Sequence, residues 1–235
     1  MSESDNFIEI TNPQGEIFKG YLGVPESGSG PGVVVIQEIF GINDFIKTTV
    51  DVLANHGYVA LAPDLFWRLE DDVSLSYSDE DMSKAFELFG RFEPEGAIGD
   101  IQGAIDTLRA LPQQEGKVGC VGFCLGGLLA WLTAARTDVD CSISYYGVSI
   151  DNYLDDAANV TTPTILHIAQ QDAFVPPEAQ EKLMQMAASH GQIEAYLYPG
   201  CDHAFATPGR DSFNQDATHL SVERSLGMFE RVLKG

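Results

Sequence analysis

Basic side chains are scarce in this chain: 13 lysines and arginines stand against 35 aspartates and glutamates, a formal charge of −22. Nucleic-acid binding draws on clustered cations to neutralise phosphates, and no such cluster occurs, so a nucleic-acid partner is excluded. The same imbalance disfavours anionic membrane surfaces, and the acidic excess fits either a saline environment or a solubility strategy. Long apolar runs are missing too. A stretch such as Val33–Ile36 is far too short to span a bilayer, so no membrane partner is expected. The four cysteines, Cys120, Cys124, Cys141 and Cys201, are too few in a chain of 235 residues to read as a disulfide framework. The opening Met-Ser-Glu-Ser-Asp-Asn carries neither the basic nor the apolar segment of a secretory signal. Together these absences point to the reducing cytoplasm.

No repeat, low-complexity tract or linker divides the chain, and one α/β domain over residues 1–235 is expected. Phe7–Thr11 and Glu16–Val24 read as strands around the turn-rich Asn12-Pro13-Gln14-Gly15, an opening hairpin. Apolar strands are then expected at Val33–Gln37, Tyr58–Ala62, Lys117–Val121, Cys141–Tyr145, Thr164–Ile168 and Glu194–Tyr198. Helices alternate with them at Asn43–His56, from Ser78-Asp79-Glu80-Asp81 onward, and at Glu95–Ala110, Leu125–Arg136, Pro177–His190 and Asp216–Lys234. Strands rich in Val, Ile and Tyr alternating with helices predict a mostly parallel sheet covered on both faces.

The most specific local signal is Gly122-Phe123-Cys124-Leu125-Gly126, where a buried strand turns into an apolar helix with a thiol at the corner. This is the pattern of a nucleophile elbow with cysteine in place of serine. Flanking glycines suit a strained corner where backbones pass too close for a Cβ, and the helix start favours a thiolate. Two further groups fall in loops after other strands: Asp172, past Thr164–Ile168, and His203, past the strand ending at Tyr198. In open α/β sheets the carboxyl ends of strands gather the functional groups. Cys124, Asp172 and His203 thus stand in the chain order nucleophile, acid, histidine.

Their chemistry follows from type. A thiol becomes a strong nucleophile on losing its proton, which His203 accepts and later returns to the leaving oxygen. Asp172 orients the imidazole and stabilises its charged form. The backbone N–H groups of Leu125 and Ile39 are expected to receive the oxyanion. His56, His167, His190 and His219 read as structural, and Cys120, Cys141 and Cys201 as core. The cysteine and histidine spacings fit no zinc pattern, and the glycines at 126 and 127 lack the Lys-Ser/Thr of a phosphate loop, so neither metal nor cofactor is expected.

With these residues the chain resembles the dienelactone hydrolase (carboxymethylenebutenolidase) family of α/β-hydrolases. The resemblance rests on Gln37-Glu38-Ile39-Phe40-Gly41-Ile42-Asn43, Pro63-Asp64-Leu65, Gly119–Gly127, Tyr145-Tyr146-Gly147-Val148, Asp172 with Val175-Pro176, and His203-Ala204-Phe205. It implies an α/β-hydrolase fold and cleavage of a small lactone or ester through a thioester on Cys124, without a cofactor, by a monomer. It also implies that Glu38 helps control the thiol's proton. A lone carboxylate among apolar neighbours at a strand's end suits a raised pKa.

The pattern departs from the family at two places that hold substrate-binding arginines there, occupied here by Met82 and Thr207. Arg210, with Lys84 or Arg91, is the available substitute. The substrate pocket is expected to draw on Met82, Phe86, Tyr145, Phe205 and Arg210. Loss of a guanidinium fork weakens carboxylate recognition, so an uncharged lactone or ester is expected. Alternatives on the same residues are a thioesterase or peptidase, and a non-enzymatic thiol sensor.

Overall fold

A computed structural model describes residues 6–235; most of the acidic opening stretch lies outside the described residues. Eight strands form one sheet: β1 (Phe7–Thr11), β2 (Ile17–Gly23), β3 (Gly30–Ile36), β4 (Val59–Pro63), β5 (Gln114–Phe123), β6 (Cys141–Tyr145), β7 (Thr164–Ala169) and β8 (Ile193–Tyr198). Their spatial order is β1-β2-β4-β3-β5-β6-β7-β8. The β1/β2 and β2/β4 pairs are antiparallel and every other pair is parallel. Among the described residues six α-helices accompany it: α1 (Asp44–Asn55), α2 (Asp79–Phe89), α3 (Pro94–Ala110), α4 (Leu125–Arg136), α5 (Pro177–Ser189) and α6 (Gln215–Leu233).

The register shows how the helices divide between the two faces. Gly23, Ala60, Val33, Gly119 and Cys141 are successive cross-strand partners and share one face. A Cβ on Gly23 would meet Val50 and Ala54 of α1, and one on Gly119 would meet Phe229 and Leu233 of α6. The neighbouring partners Gly32 and Val118 point the other way, where Leu108 of α3 lies. Both faces are therefore covered, which is why the central strands read as continuous apolar runs.

Local chemistry fixes the helix starts. Asn43 accepts from the Ile46 N–H at 3.2 Å, and Asn214 from the Ala217 N–H at 3.0 Å. Ser78 accepts from the Asp81 N–H at 3.3 Å, but the expected reciprocal bond is not made. The Asp81 carboxylate instead accepts from the Ser76 N–H at 2.8 Å, which ties the approach segment to the helix. The first ten residues of α4, Leu125–Ala134, are all buried, as its apolar circumference predicts. Two features differ from the sequence expectation. β5 begins at Gln114, because a polar lead-in pairs with Gly30 through a register shift. A 3-10 segment, Ile150–Asn159, lies between β6 and β7. No helix among the described residues is long and apolar enough to cross a membrane.

Candidate active site

Cys124 stands between β5 and α4 with φ 57° and ψ −114°, a backbone state that L-residues rarely occupy. The surroundings hold it there. Its N–H donates to the Tyr145 carbonyl at the end of β6 (3.0 Å), and its own carbonyl accepts from Gly127 (2.9 Å). A Cβ on Gly122 would run into the Gly126 carbonyl, and one on Gly126 into the Ile36 and Gln37 carbonyls. The glycines on either side are therefore required by close packing of the corner against itself and against β3.

His203 and Asp172 arrive from the loops after β8 and β7. His203 Nδ1 lies 2.7 Å from Asp172 Oδ2, and both side chains are buried. The other Asp172 oxygen accepts from the Phe174 N–H at 2.8 Å, so the carboxylate is held at both ends. The two loops are laced together: the Gln171 N–H donates to the Cys201 carbonyl (2.8 Å) and the Gly200 N–H to the Gln170 side chain (3.1 Å). The imidazole is edge-packed between Tyr146 (5.2 Å between centroids) and Phe174 (4.9 Å), and it lines the same hollow as Cys124. Burial opposes the imidazolium. The electrostatic pull of the neighbouring Cys124, and the hydrogen bond to and charge of Asp172, outweigh it and push His203 up to about 10.

Glu38, 1% exposed, follows β3. It accepts from the Tyr77 hydroxyl at 3.1 Å and from the Thr207 hydroxyl at 3.4 Å, while Thr207 also pairs with the Tyr146 hydroxyl at 2.9 Å. Burial pushes the Glu38 carboxyl above its ordinary range, against the pull of the nearby Arg210 and His203 charges. The Arg210 guanidinium lies over the Tyr77 ring (5.0 Å) and the Phe40 ring (5.6 Å). Thr207 is fully buried in this network, so it does not reach a substrate.

These groups border a hollow of about 390 Å³. Cys124, His203, Glu38 and Ile39 line it together with Met82, Phe86 and Phe89 of α2 and with Phe174, whose ring centroid lies 6.5 Å from that of Phe86. Arg210 lies at its edge. Leu125 is the first residue of α4, where a helix leaves its N–H without an intrahelical acceptor. Of the residues expected to bind substrate, Met82, Phe86 and Arg210 line the hollow, whereas Tyr145 and Phe205 do not. Tyr145 is turned inward, its hydroxyl 2.7 Å from Ser225, and Phe205 is fully buried against Tyr198 and Tyr146. Lys84 and Arg91 point away to Glu70 and Glu87, and neither borders the hollow. Sequence reasoning missed Tyr77 and Phe174. Phe174 had a signal, two residues after the acid; Tyr77, in an irregular acidic segment, had none. Among the described residues no group of three or more His, Cys, Asp or Glu is arranged to hold a metal.

A mostly parallel eight-stranded sheet with a strained residue between strand and helix, and an acid and a histidine in later strand-end loops, defines an α/β-hydrolase fold. Solved structures agree. One named m3DLH superposes with a TM-score of 0.79 at 26% identity, covering 97% of this chain and 98% of that one. A dienelactone hydrolase-like promiscuous phosphotriesterase, P91, from metagenomic libraries shares the fold at a TM-score of 0.79 and 22% identity. Residues 18–233 match the model of the dienelactone hydrolase family, and the chain belongs to that family. It is 38% identical over 220 residues to carboxymethylenebutenolidase 1 of Cupriavidus pinatubonensis, covering 93% of this chain and 94% of that protein. It is 35% identical to the carboxymethylenebutenolidase of Pseudomonas putida, with 93% of each covered. The protein is a hydrolase of the dienelactone hydrolase type.

Proposed function

We propose that the protein hydrolyses uncharged carboxylic esters and lactones through a thioester on Cys124. The observation that carries this reading is the line from Cys124 to His203 to Asp172, closed by a 2.7 Å contact and set in a mostly apolar hollow. The thiolate attacks the acyl carbon, and the N–H groups of Leu125 and Ile39 receive the oxyanion. The C–O bond breaks, and the imidazolium of His203 gives its proton to the departing oxygen. Acylation consumes the negative sulfur, which is the leading influence raising His203. Having given up its proton, the imidazole rests neutral and takes a proton from the water that cleaves the thioester. Asp172 keeps the ring in the tautomer that presents its other nitrogen to sulfur and water.

Glu38 lines the same hollow as this pair, its carboxyl raised by burial. Its environment supports a part in managing the thiol's proton, since burial holds this carboxyl above its usual range and so makes its neutral form more accessible. The substrate is read as uncharged because, apart from His203, the lining of the hollow among the described residues carries one cation, Arg210, which already lies over two rings beside Glu38. Replacing Cys124 tests the assignment: Cys124→Ala is expected to abolish turnover of p-nitrophenyl esters and Cys124→Ser to leave much less than wild type. Full activity in the alanine variant would remove the nucleophile.

A further inference from the structure

Two hollows meet at His203. The apolar one has Cys124 in its lining. The second is an open cleft of about 770 Å³ whose lining includes Asp79, Asp202, Asp211 and Ser212. Met82, Phe174, His203 and Arg210 border both and form the partition between them. Cys124 therefore faces only the apolar side, whereas His203 faces both.

Acyl transfer gives this partition a direction. The acyl carbon must bond to sulfur, so the acyl chain lies with Cys124 among Phe86, Phe89 and Val148. The leaving oxygen must take its proton from His203, so whatever is attached to that oxygen is carried past the imidazole toward the polar cleft. Carboxylates and hydroxyls there accept from hydroxyl groups, and the three aspartates outnumber the Arg210 and His203 cations, so a neutral hydroxyl-bearing group suits the cleft better than an anion. A small lactone exploits none of this, because its acyl and alkoxy ends are tethered and stay in one hollow.

From this partition, and resting on the hydrolase reading above, we infer that the enzyme is built for acyclic esters joining an apolar acyl group to an uncharged, hydroxyl-bearing alcohol. The C–S bond forms as the ester C–O bond breaks, and the electron pair on the leaving oxygen takes the His203 proton to release the free alcohol. Water then adds to the thioester: its hydroxyl goes to the acyl carbon, its other proton to His203, and the thiolate is restored.

The test compares esters matched in size. Glyceryl monobutyrate pairs with pentyl butyrate, which has the same number of heavy atoms beyond the ester oxygen, and pentyl glycerate reverses the polarity. The glyceryl ester is expected to exceed pentyl butyrate in kcat/KM by about tenfold, the scale of one or two hydrogen bonds, and the reversed ester to be the poorest. The double variant Asp211→Leu, Ser212→Leu makes the cleft less polar and is expected to bring the ratio toward one; if it fails to fold, the wild-type ratio alone decides. A pentyl ester equal to or better than the glyceryl ester, or a reversed ester turned over equally well, overturns the inference. Hydrolysis of all three without preference leaves the Cys124 reading standing, whereas failure of every ester to acylate Cys124 removes that reading itself.

Discussion

The Tyr77 hydroxyl donates to Glu38 across 3.1 Å, joining the approach to α2 to a carboxylate that lines the site. The bond is one rung of a longer attachment. The Ile42 N–H donates to the Val73 carbonyl (3.0 Å), the Leu75 N–H to the Phe40 carbonyl (2.9 Å), and Gly41 bridges Ser74. The loop that carries Glu38 and Ile39 is thus braced by the segment that leads into the α2 wall, and the two are placed as one unit.

Tyr77→Phe keeps the ring beneath Arg210 and removes the hydroxyl, which donates to Glu38 and accepts from Asn43 Nδ2 at 3.4 Å. A hydrogen bond to a carboxylate favours its charged form, so its loss raises the Glu38 pKa further. If ionised Glu38 assists catalysis, the acidic limb of the kcat/KM profile moves to higher pH and kcat falls by about tenfold, the scale of one charge-assisted bond. A variant with a lower Tm and an unmoved pH profile would show Tyr77 to be structural only.

His167 sets a pH dependence of stability. It is buried in β7, with Nδ1 2.8 Å from the Tyr198 hydroxyl and Nε2 3.0 Å from the Ser225 hydroxyl. Burial first, then the Arg224 charge, lowers it from 6.5 to about 3. The unfolded chain binds this proton below pH 6.5 while the folded chain refuses it until about pH 3. This contribution is therefore intact above 6.5 and is lost as pH falls, at up to about 1.4 kcal/mol per pH unit. His167→Gln, which bonds without titrating, is expected to lose less stability than wild type between about pH 7 and pH 5 in urea unfolding. Parallel losses in the two proteins would exclude His167 as the cause.

The two positions where the family holds arginine differ in what they tolerate. Met82 is half-buried on the α2 face that lines the hollow, whereas Thr207 is fully buried between Tyr146 and Glu38. Met82→Arg is expected to fold and to raise kcat/KM for carboxylated lactones relative to neutral ones by about tenfold. Thr207→Arg forces a long cation into filled space and is expected to lower Tm and remove activity on both. The ratio of carboxylated to neutral turnover reads the first, and thermal melting the second. An unchanged ratio in Met82→Arg would place residue 82 out of reach of the substrate.

What was legible in the sequence follows from what is local. All eight strands and six helices could be placed, because buried parallel strands are continuous apolar runs and caps such as Asn43 and Ser78 act within a few residues. Cys124, Asp172 and His203 could be gathered because each follows a strand of the same parallel sheet, whose carboxyl ends share one edge. The Tyr77–Glu38 contact spans 39 residues and leaves no periodic trace. Tyr145 and Phe205 lie next to site motifs, yet their side chains turn inward, a choice made by sheet alternation and by the tight turn at Ala204, where φ is 62°. The polar start of β5 and the 3-10 segment carry too little apolar signal to be seen in sequence.

The thioester itself is the most direct test. Rapid acid quench of enzyme with glyceryl monobutyrate, followed by intact-protein mass spectrometry, is expected to show one butyryl group that maps to Cys124 and is absent in Cys124→Ala. A butyryl group on another residue, or turnover by the wild-type enzyme with no covalent species trapped at any quench time, would contradict the account.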